Sequence, residues 1–177
     1  MDFEEKTVSS KSVYDGKIIH VRVEDIVRPD GKAAKRELIS HPGGAGIVAV
    51  DAEKNVFMVE QYRIAARSMM LEIPAGKLEY GEDPLECAKR EIVEETGYSV
   101  GKIEPLGDYY ATPGYCEEVL HLYLGTELEW KGQHLDEGEF LNVKKYPLDE
   151  LYKMVMDNKI VDAKTAIAIL KAKAILG

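Results

Sequence analysis

Hydrophobic and polar residues alternate along several short stretches of the chain, a period of two that is typical of β-strands with one buried face. The predicted strands lie at residues 13–27, 35–40, 47–50, 56–61, 103–110, 118–124 and 140–143. A turn signal at Pro29-Asp30-Gly31 separates the first two, which we expect to form an N-terminal hairpin, and the next two are expected to form a second strand pair.

Three stretches carry helix signals instead. Asp83 followed by Pro84 combines a favoured N-cap with a favoured first helical residue, and Gly97 is a favoured left-handed stop, so a helix is predicted between them. Two further helices are predicted at residues 148–158 and 162–176. Strands that are interrupted by one central helix and followed by two terminal helices predict an α+β or α/β sandwich.

The length and composition of the chain predict one globular domain. Of the 177 residues, 45% are hydrophobic and 31% are charged, and a chain of this length buries roughly 70% of its unfolded surface. The longest apolar runs are far shorter than the roughly 20 residues of a membrane span. The formal net charge of −9 argues against wrapping nucleic acid or binding an anionic membrane, since both need a basic surface.

The N-terminal residues and the cysteines bear on the location of the protein. The first five residues are mostly acidic or polar and show no apolar segment of the kind found in secretory signals. Only Cys87 and Cys116 are present, and they do not form a CxxC pair, which disfavours a disulfide framework or a cysteine zinc site. We therefore expect a cytoplasmic protein.

The predicted central helix gathers three carboxylates on one face. At 100° per residue, Glu91, Glu94 and Glu95 fall within one arc, and the apolar residues of the helix form a separate stripe. Like charges at these spacings destabilise a helix by roughly a few tenths of a kcal/mol per pair, whereas a divalent cation would turn the repulsion into attraction. Helix geometry alone leaves open whether this face binds a cation or is simply solvated, as most runs of charge are.

The surroundings of this face suit a cation that acts on phosphates. Mg²⁺ prefers oxygen ligands, keeps positions open for phosphate oxygens and activates water for the hydrolysis of a phosphoanhydride. Arg90 can pair with Glu86 or Glu94 at i,i+4 spacing and hold a carboxylate in place. Upstream, Gly76 permits a close backbone approach, so the carbonyl of Ala75 could also face the metal.

The spacing along this segment resembles a known motif. Gly76, five residues, Glu82, seven residues and then the run Arg-Glu-Ile-Val-Glu-Glu-Thr-Gly-Tyr from Arg90 to Tyr98 resemble the Nudix box, G-x5-E-x7-R-E-U-x-E-E-x-G-U, where U is apolar or aromatic. Every fixed position of the box is filled, over 23 residues. The resemblance extends beyond the box to nearly the whole chain, from about residue 5 to residue 170.

The resemblance implies a fold and a reaction type. The implied fold is an α/β/α sandwich on a mixed β-sheet, with an N-terminal antiparallel β region. We expect one domain at residues 1–177, in which residues 1–42 form the N-terminal region and contribute to a homodimer and residues 43–177 form the catalytic core. Nudix proteins typically cleave a nucleoside diphosphate linked to another group, using Mg²⁺ or Mn²⁺.

The resemblance also implies roles for the acids of the helix. The implied metal ligands are the carboxylates of Glu91 and Glu95 and the carbonyl of Ala75, with Glu94 as an additional or alternative ligand. Arg90 would orient these groups, and Glu82 would be a structural acid or would hold a metal-bound water.

Residues outside the box bear on the substrate. Pro113, sixteen residues after Gly97, resembles the proline that marks ADP-ribose pyrophosphatases in the family, although a Pro-Gly pair is also an ordinary turn signal. By the same resemblance Arg63 would contact the substrate diphosphate, although an arginine at a strand end usually reaches only solvent. Arg36 and Glu37 would lie near the nucleoside in the partner's site through a swapped N-terminal region, or would be ordinary edge-strand charges.

A catalytic base is expected in the loop at residues 134–140, just before the last predicted strand. In the resembling enzymes a glutamate of such a loop has this role, and Glu139 has the best register because it runs directly into the strand. Glu137 and Asp136 are close competitors. Carboxylates in loops are mostly solubilising, so only the box upstream favours a catalytic role.

The leading hypothesis is a homodimeric hydrolase that uses Mg²⁺ to convert ADP-ribose to AMP and ribose 5-phosphate. One alternative is a related enzyme that acts on another nucleoside diphosphate sugar or on a dinucleotide. A second is a Nudix-fold sensor that binds nucleotide without cleaving it. The intact set of Glu91, Glu94 and Glu95 disfavours the sensor, because a sensor need not keep all three acids.

Overall fold

The computed structural model describes residues 3–135, 138 and 140–177. The elements formed by these residues are, in chain order, β1 Lys6–Asp15, β2 His20–Val27, β3 Ala33–Ser40, β4 Gly44–Ala49, β5 Asn55–Arg63, β6 Ser68–Glu72, β7 Ala75–Lys77, α1 Pro84–Thr96, β8 Tyr98–Tyr110, β9 Val119–Trp130, β10 Leu141–Pro147, α2 Leu148–Met156 and α3 Ala163–Leu176. The chain divides into two compact units. The first comprises the residues up to Gly43 together with Tyr110–Val119, and the second comprises Gly44–Tyr109 and Leu120–Gly177.

The first unit contains a three-stranded antiparallel sheet with the order β1-β2-β3. β2 and β3 pair without a break from His20 opposite Ser40 to Val27 opposite Ala33, as the predicted hairpin requires. β1 pairs with the other edge of β2. The sheet therefore has three strands, and the prediction of a two-stranded hairpin was wrong because it lacked β1. Hydrophobic alternation does not reveal β1, because its residues are exposed at every position and many are polar.

The segment Tyr110–Val119 is attached to this sheet by backbone and side-chain hydrogen bonds. The Ile39 N–H of β3 donates to the carbonyl of Tyr115 (2.7 Å), and the Ile39 carbonyl accepts the N–H of Glu117 (2.9 Å). The carboxylate of Glu117 also accepts a hydrogen bond from the guanidinium of Arg22 on β2. The segment is therefore part of the first unit, although residues 44–109 of the second unit precede it in the sequence.

The core of the second unit is built around β4, whose six residues are all buried. Ile47 and Ala49 face α1, whereas Val48 and the following Val50 face the opposite way, into the core formed with α2 and α3. A strand covered by helices on both faces is the middle layer of an α/β/α sandwich. The predicted fold class is therefore confirmed.

The sheet around β4 is mixed. Its strand order is β7-β4-β9-β8, with β4 antiparallel to β7 and parallel to β9, and a separate sheet has the order β10-β5-β6. The predicted pairing of residues 47–50 with 56–61 was wrong, since the two strands belong to different sheets and meet only at a bridge between Val50 and Val56. The short strands β6 and β7 were not predicted, because neither shows a hydrophobic alternation.

The three helices lie where the local signals predict them. The carboxylate of Asp83 accepts two N–H bonds from the first turn of α1, and the helix ends before Gly97, which has a φ of 80°. α2 ends at Met156, two residues earlier than predicted, and α3 begins directly after its N-cap Asp162. A membrane span needs about 20 residues, and within the described part of the chain no helix is long and apolar enough to form one.

Candidate active site

Residues 73–76, which lead from β6 into the start of β7 and are called the loop below, are held by three elements of the second unit. Its backbone donates to Oγ1 of Thr165 on α3 (2.9 Å) and accepts from the N–H of Ile47 on β4 (3.0 Å). The N–H of Ala75 donates to Oε2 of Glu95 on α1 (3.0 Å). Hydrogen bonds from three directions fix the backbone of this loop relative to α1.

Gly76 allows α1 to approach the loop closely. A Cβ atom on Gly76 would lie 1.7 Å from Oε1 of Glu91 and 1.9 Å from its carboxyl carbon. Atoms that are not bonded to each other cannot approach this closely, so a residue without a side chain is needed here. This contact is the physical reason for the glycine that opens the motif.

Two of the three acids on the predicted face are buried. Glu91 is 8% exposed and Glu95 is 3% exposed, whereas Glu94 is partly exposed. Burying a carboxylate costs free energy unless charges or hydrogen-bond donors compensate it. The face is therefore not the solvated surface that helix geometry left open.

Arg90 holds three carboxylates together. Its Nη1 donates to Oε1 of Glu91 (2.7 Å) and to Oε2 of Glu94 (2.9 Å), while its Nε and Nη2 donate to the two oxygens of Glu82 (3.0 and 3.2 Å). Of the two i,i+4 partners considered from the sequence, the structure shows Glu94, and Glu86 pairs with a neighbouring lysine instead. The guanidinium fork thus fixes the orientation of acids that would otherwise repel one another.

Glu82 makes structural contacts at the start of α1. One of its oxygens accepts the N–H of Glu79 (2.9 Å), so it closes the turn before the helix while it binds Arg90. The hydrogen bond from Arg90 lowers the pKa of Glu82, because it stabilises the charged form by more than burial destabilises it. The resulting stabilisation is present above the unfolded pKa of about 4.3 and is lost as the pH falls through the folded pKa.

The donor set of the loop and α1 fits a hard divalent cation. The carboxylates of Glu91 and Glu95 lie against the backbone of Ala75 and Gly76, and all of these groups offer oxygen, the ligand that Mg²⁺ and Mn²⁺ prefer. Among the described residues, no three His, Cys, Asp or Glu side chains already form a complete ligand set. Glu91 turns toward Arg90 here, so a cation would share this carboxylate with the guanidinium.

A second charged cluster, which sequence reasoning missed, surrounds Glu72 at the end of β6. Glu72 is 1% exposed, accepts Nε (2.7 Å) and Nη2 (2.8 Å) of Arg63, and also contacts Nζ of Lys164 on α3. Burial raises the pKa of Glu72, but the hydrogen bonds from Arg63 and the charge of Lys164 outweigh burial and lower it. Glu72 and Lys164 are 92 residues apart, and no local sequence signal links them.

Arg63, which is predicted to contact the substrate diphosphate, lies in the second unit at the end of β5. Its hydrogen bonds to Glu72 raise its pKa, and the negative charge of Glu95 raises it further. The Arg63 side chain is 41% exposed, whereas that of Glu72 is 2% exposed. A permanent positive charge is therefore available to solvent within electrostatic reach of α1.

The other three predicted substrate-binding residues belong to the first unit. Nε of Arg36 donates to Oε2 of Glu5 (2.8 Å), and Glu37 is exposed on the same strand. Pro113 is exposed in the segment that hydrogen-bonds to this strand. Within the first unit, the structure joins two regions that are distant in the sequence, and the roles of all three residues in substrate binding stay predictions.

The segment after β9 caps the C-terminal end of α1. Nε2 of Gln133 donates to the carbonyl of Glu95 (2.6 Å), and the Lys131 N–H donates to the carbonyl of Gly97 (2.7 Å). The last carbonyls of a helix lack partners within it, so these bonds attach the segment to the acidic helix. The candidate bases follow this segment and lie outside the described residues: Asp136, Glu137 and Glu139.

Comparison with known families assigns both parts of the chain. Residues 40–166 match the model described as the NUDIX domain. Residues 5–39 match the model described as the nucleoside diphosphate sugar hydrolase N-terminal domain. Together the two models cover nearly the whole chain.

Individual relatives are similar over almost their full length. The chain is 42% identical over 168 residues to an ADP-ribose pyrophosphatase of Bacillus subtilis, covering 94% of this chain and 91% of the relative. It is 40% identical over 169 residues to a methanol dehydrogenase activator of Bacillus methanolicus, with the same coverage of 94% and 91%. A crystal structure of an ADP compounds hydrolase superimposes with a TM-score of 0.86 at 18% identity, covering 99% of this chain and 96% of that chain, which supports the fold.

Proposed function

The chain belongs to the Nudix family, and from that premise we propose that it hydrolyses the diphosphate linkage of ADP-ribose, releasing AMP and ribose 5-phosphate. The observation that carries a hydrolytic function is the burial of Glu91 and Glu95 against the loop at Gly76. Burying two like charges is costly, and a hydrolase gains a cation site from it. A protein that only bound nucleotide would gain no such advantage.

The substrate class is supported by both parts of the chain. The N-terminal residues match a domain of nucleoside diphosphate sugar hydrolases, and one relative of similar length is an ADP-ribose pyrophosphatase. In the second unit, Arg63 offers a planar and permanently charged fork, which suits a diphosphate. We propose that Arg36, Glu37 and Pro113 contribute contacts to the nucleoside or sugar.

We propose that the cation is Mg²⁺ or Mn²⁺, held by Glu91, Glu95 and the carbonyl of Ala75, with Glu94 as an additional or alternative ligand. When bound, such an ion neutralises phosphate charge and lowers the pKa of a bound water. Arg90 orders the carboxylates of Glu91 and Glu94 before the ion arrives, through hydrogen bonds of 2.7 and 2.9 Å. A preordered site loses less side-chain entropy on binding.

Two side chains then have separate roles in hydrolysis, one toward the diphosphate and one toward the attacking water. Arg63 binds oxygens of the diphosphate and limits its motion. Glu139 accepts a proton from the attacking water as the water oxygen bonds to phosphorus. The bridging P–O bond breaks, and the two products each keep one phosphate.

The substrate is tested with a panel of compounds. Purified protein with Mg²⁺ is expected to release AMP and ribose 5-phosphate from ADP-ribose faster than it cleaves other nucleoside diphosphate sugars or dinucleotides. Products are separated by anion-exchange chromatography, and EDTA is expected to stop the reaction. Faster cleavage of another compound would identify the alternative substrate class, and binding without any cleavage would identify a sensor.

Replacing the proposed base is expected to slow the chemical step. Glu139→Gln should lower kcat by about 100-fold, because loss of a general base typically costs this much or more, while the Kd for Mg²⁺ changes little. Glu137→Gln and Asp136→Asn are the matched controls from the same loop. If Glu139→Gln has an unchanged kcat and either Glu137→Gln or Asp136→Asn has a lowered kcat, the residue replaced in the slower variant is the base instead.

We further propose that the protein is a homodimer assembled through the first unit. In that unit β1 is exposed along its whole length and includes Val8 at 69%, Val13 at 62% and Tyr14 at 57% exposure. β1 is also an edge of its sheet, and an exposed edge strand is a surface with which a second copy of the chain can pair. Light scattering is expected to give twice the monomer mass, and a monomeric mass would refute the dimer. We also propose a cytoplasmic location, which the free thiols of Cys87 and Cys116 support.

A further inference from the structure

Two cations share the buried carboxylate of Glu72. Arg63 binds it through Nε (2.7 Å) and Nη2 (2.8 Å), and Lys164 contacts Oε2 from α3. The exposed fractions of these side chains differ sharply, at 2% for Glu72, 13% for Lys164 and 41% for Arg63. Only the guanidinium therefore reaches solvent to a substantial extent, and the other two groups form its support.

The contact with Glu72 uses one edge of the guanidinium of Arg63. A guanidinium has five N–H donors, and Glu72 accepts one from Nε and one from Nη2. Nη1 takes no part in the contact with Glu72. Three donors thus remain for an oxygen-rich anion, and the bidentate pair fixes the plane in which they lie.

Lys164 is held in place by the first turn of α3. Its Nζ also binds Oδ2 of Asp162 (3.0 Å), the N-cap of the helix, which in turn accepts the N–H (3.0 Å) and the hydroxyl (2.6 Å) of Thr165. The hydroxyl of Thr165 accepts the N–H of Ile73 (2.9 Å), at the start of the loop that leads to Ala75. The start of α3 therefore contacts both the support of Arg63 and the loop beside the acidic helix.

The charges of this cluster explain what the lysine adds. Without Lys164, Arg63 would be the only cation that binds Glu72. The negative charge of Glu72 would then reduce the attraction of Arg63 for a second anion. With Lys164 present, two positive charges share one carboxylate, and Asp162 offsets part of the lysine charge. The guanidinium keeps more of its positive potential toward solvent.

We propose that Lys164 is a positioning residue for the substrate diphosphate, which it serves by holding Glu72 so that Arg63 presents its remaining N–H donors to the phosphates. The inference rests on the proposed function, because it takes a diphosphate as the ligand of Arg63. Lys164 does not touch the substrate in this scheme. It acts only through Glu72 and Arg63.

A double-mutant cycle tests this dependence. The Kd of ADP-ribose is measured by calorimetry in EDTA, where no hydrolysis occurs, for wild type, Lys164→Met, Arg63→Gln and the double variant. We expect Lys164→Met to weaken binding about tenfold and Arg63→Gln about 30-fold, as loss of charge-assisted contacts commonly does. The double variant is expected to bind no more weakly than Arg63→Gln, because Lys164 has no effect without the arginine.

Two further variants separate positioning from general stability. Lys164→Arg keeps a cation on Glu72 and is expected to bind within about threefold of wild type. Lys173→Met removes another lysine of α3, which pairs with exposed Asp149 (2.7 Å), and is expected to leave the Kd unchanged. Melting temperatures of all variants are compared, and a stability effect alone would lower them without giving non-additive Kd values.

The outcomes distinguish the inference from the proposed function. The positioning role would be refuted if the effects of the two single substitutions on the Kd multiply in the double variant. It would also be refuted if Lys164→Met and Lys173→Met have the same Kd. Absence of ADP-ribose binding by wild type in EDTA would also overturn it, while Mg²⁺-dependent hydrolysis by the same protein would leave the function standing. Binding with the expected cycle but no hydrolysis would refute the function and support the role of Lys164.

Discussion

Glu95→Gln is expected to lower kcat for ADP-ribose hydrolysis by at least about 1,000-fold at saturating substrate, equivalent to roughly 4 kcal/mol of barrier. Glu95 is 3% exposed, and its Oε2 accepts the N–H of Ala75 (3.0 Å). A glutamine oxygen can still accept that hydrogen bond, so the loop stays attached to α1. The amide lacks the negative charge that makes a carboxylate a strong ligand for Mg²⁺.

The control for this variant is Glu86→Gln on the same helix. Glu86 is exposed and pairs with Lys89 (2.7 Å), away from the buried face, so it should retain wild-type activity. Turnover is measured as AMP release at increasing Mg²⁺, and folding is checked by the melting temperature. Wild-type turnover in a folded Glu95→Gln protein would refute the assignment of this residue as a metal ligand.

Gly76→Ala is expected to reduce kcat/KM by at least about 500-fold, because displacing a reacting or ligating group by 1 Å or more costs 100-fold or more. The new Cβ would lie 1.7 Å from Oε1 of Glu91, so the carboxylate or the loop must move. The loop has little room, since a Cβ on neighbouring Gly44 would already lie 3.0 Å from the Gly76 carbonyl. Overpacking of this kind also destabilises a fold by about 1–3 kcal/mol.

Gly114→Ala is the matched control for this substitution. A Cβ on Gly114 meets no atom within 4 Å, and its φ is not positive, so the same change should leave stability unaltered. Urea unfolding gives the stability of both variants, and Mg²⁺ titration of AMP release gives their apparent metal affinity. A Gly76→Ala protein with wild-type metal affinity would show that Glu91 does not need its present position.

The predictions from sequence succeeded where a structure depends on neighbouring residues. The ends of α1 follow from Asp83 and Gly97, because an N-cap carboxylate and a left-handed stop act within one turn of the helix. Strand β1 of the first unit shows the opposite case. β1 is stabilised by pairing with β2, and its own exposed residues give no periodic signal.

The candidate site divides in the same way. The spacing from Gly76 to Glu95 places the acids on one helix face, and this could be read directly from the chain. The chain alone could not show whether that face is solvated, since the burial of Glu91 and Glu95 depends on the loop packed against them. The contact of Gln133 with the end of α1 joins residues 38 apart and has no local signature.

The sequence by itself determined the helices, because their caps and stops act within about one helical turn. It also determined the motif and the family resemblance, because these are defined by residue types at fixed spacings and not by contacts. The tertiary structure decided which strands pair, which acids are buried and which charges meet. Glu72 shows why: its partners Arg63 and Lys164 lie 9 and 92 residues away, on different elements. The free energy of such a contact depends on both residues being close in space. The residues next to either one in the sequence therefore cannot indicate the contact.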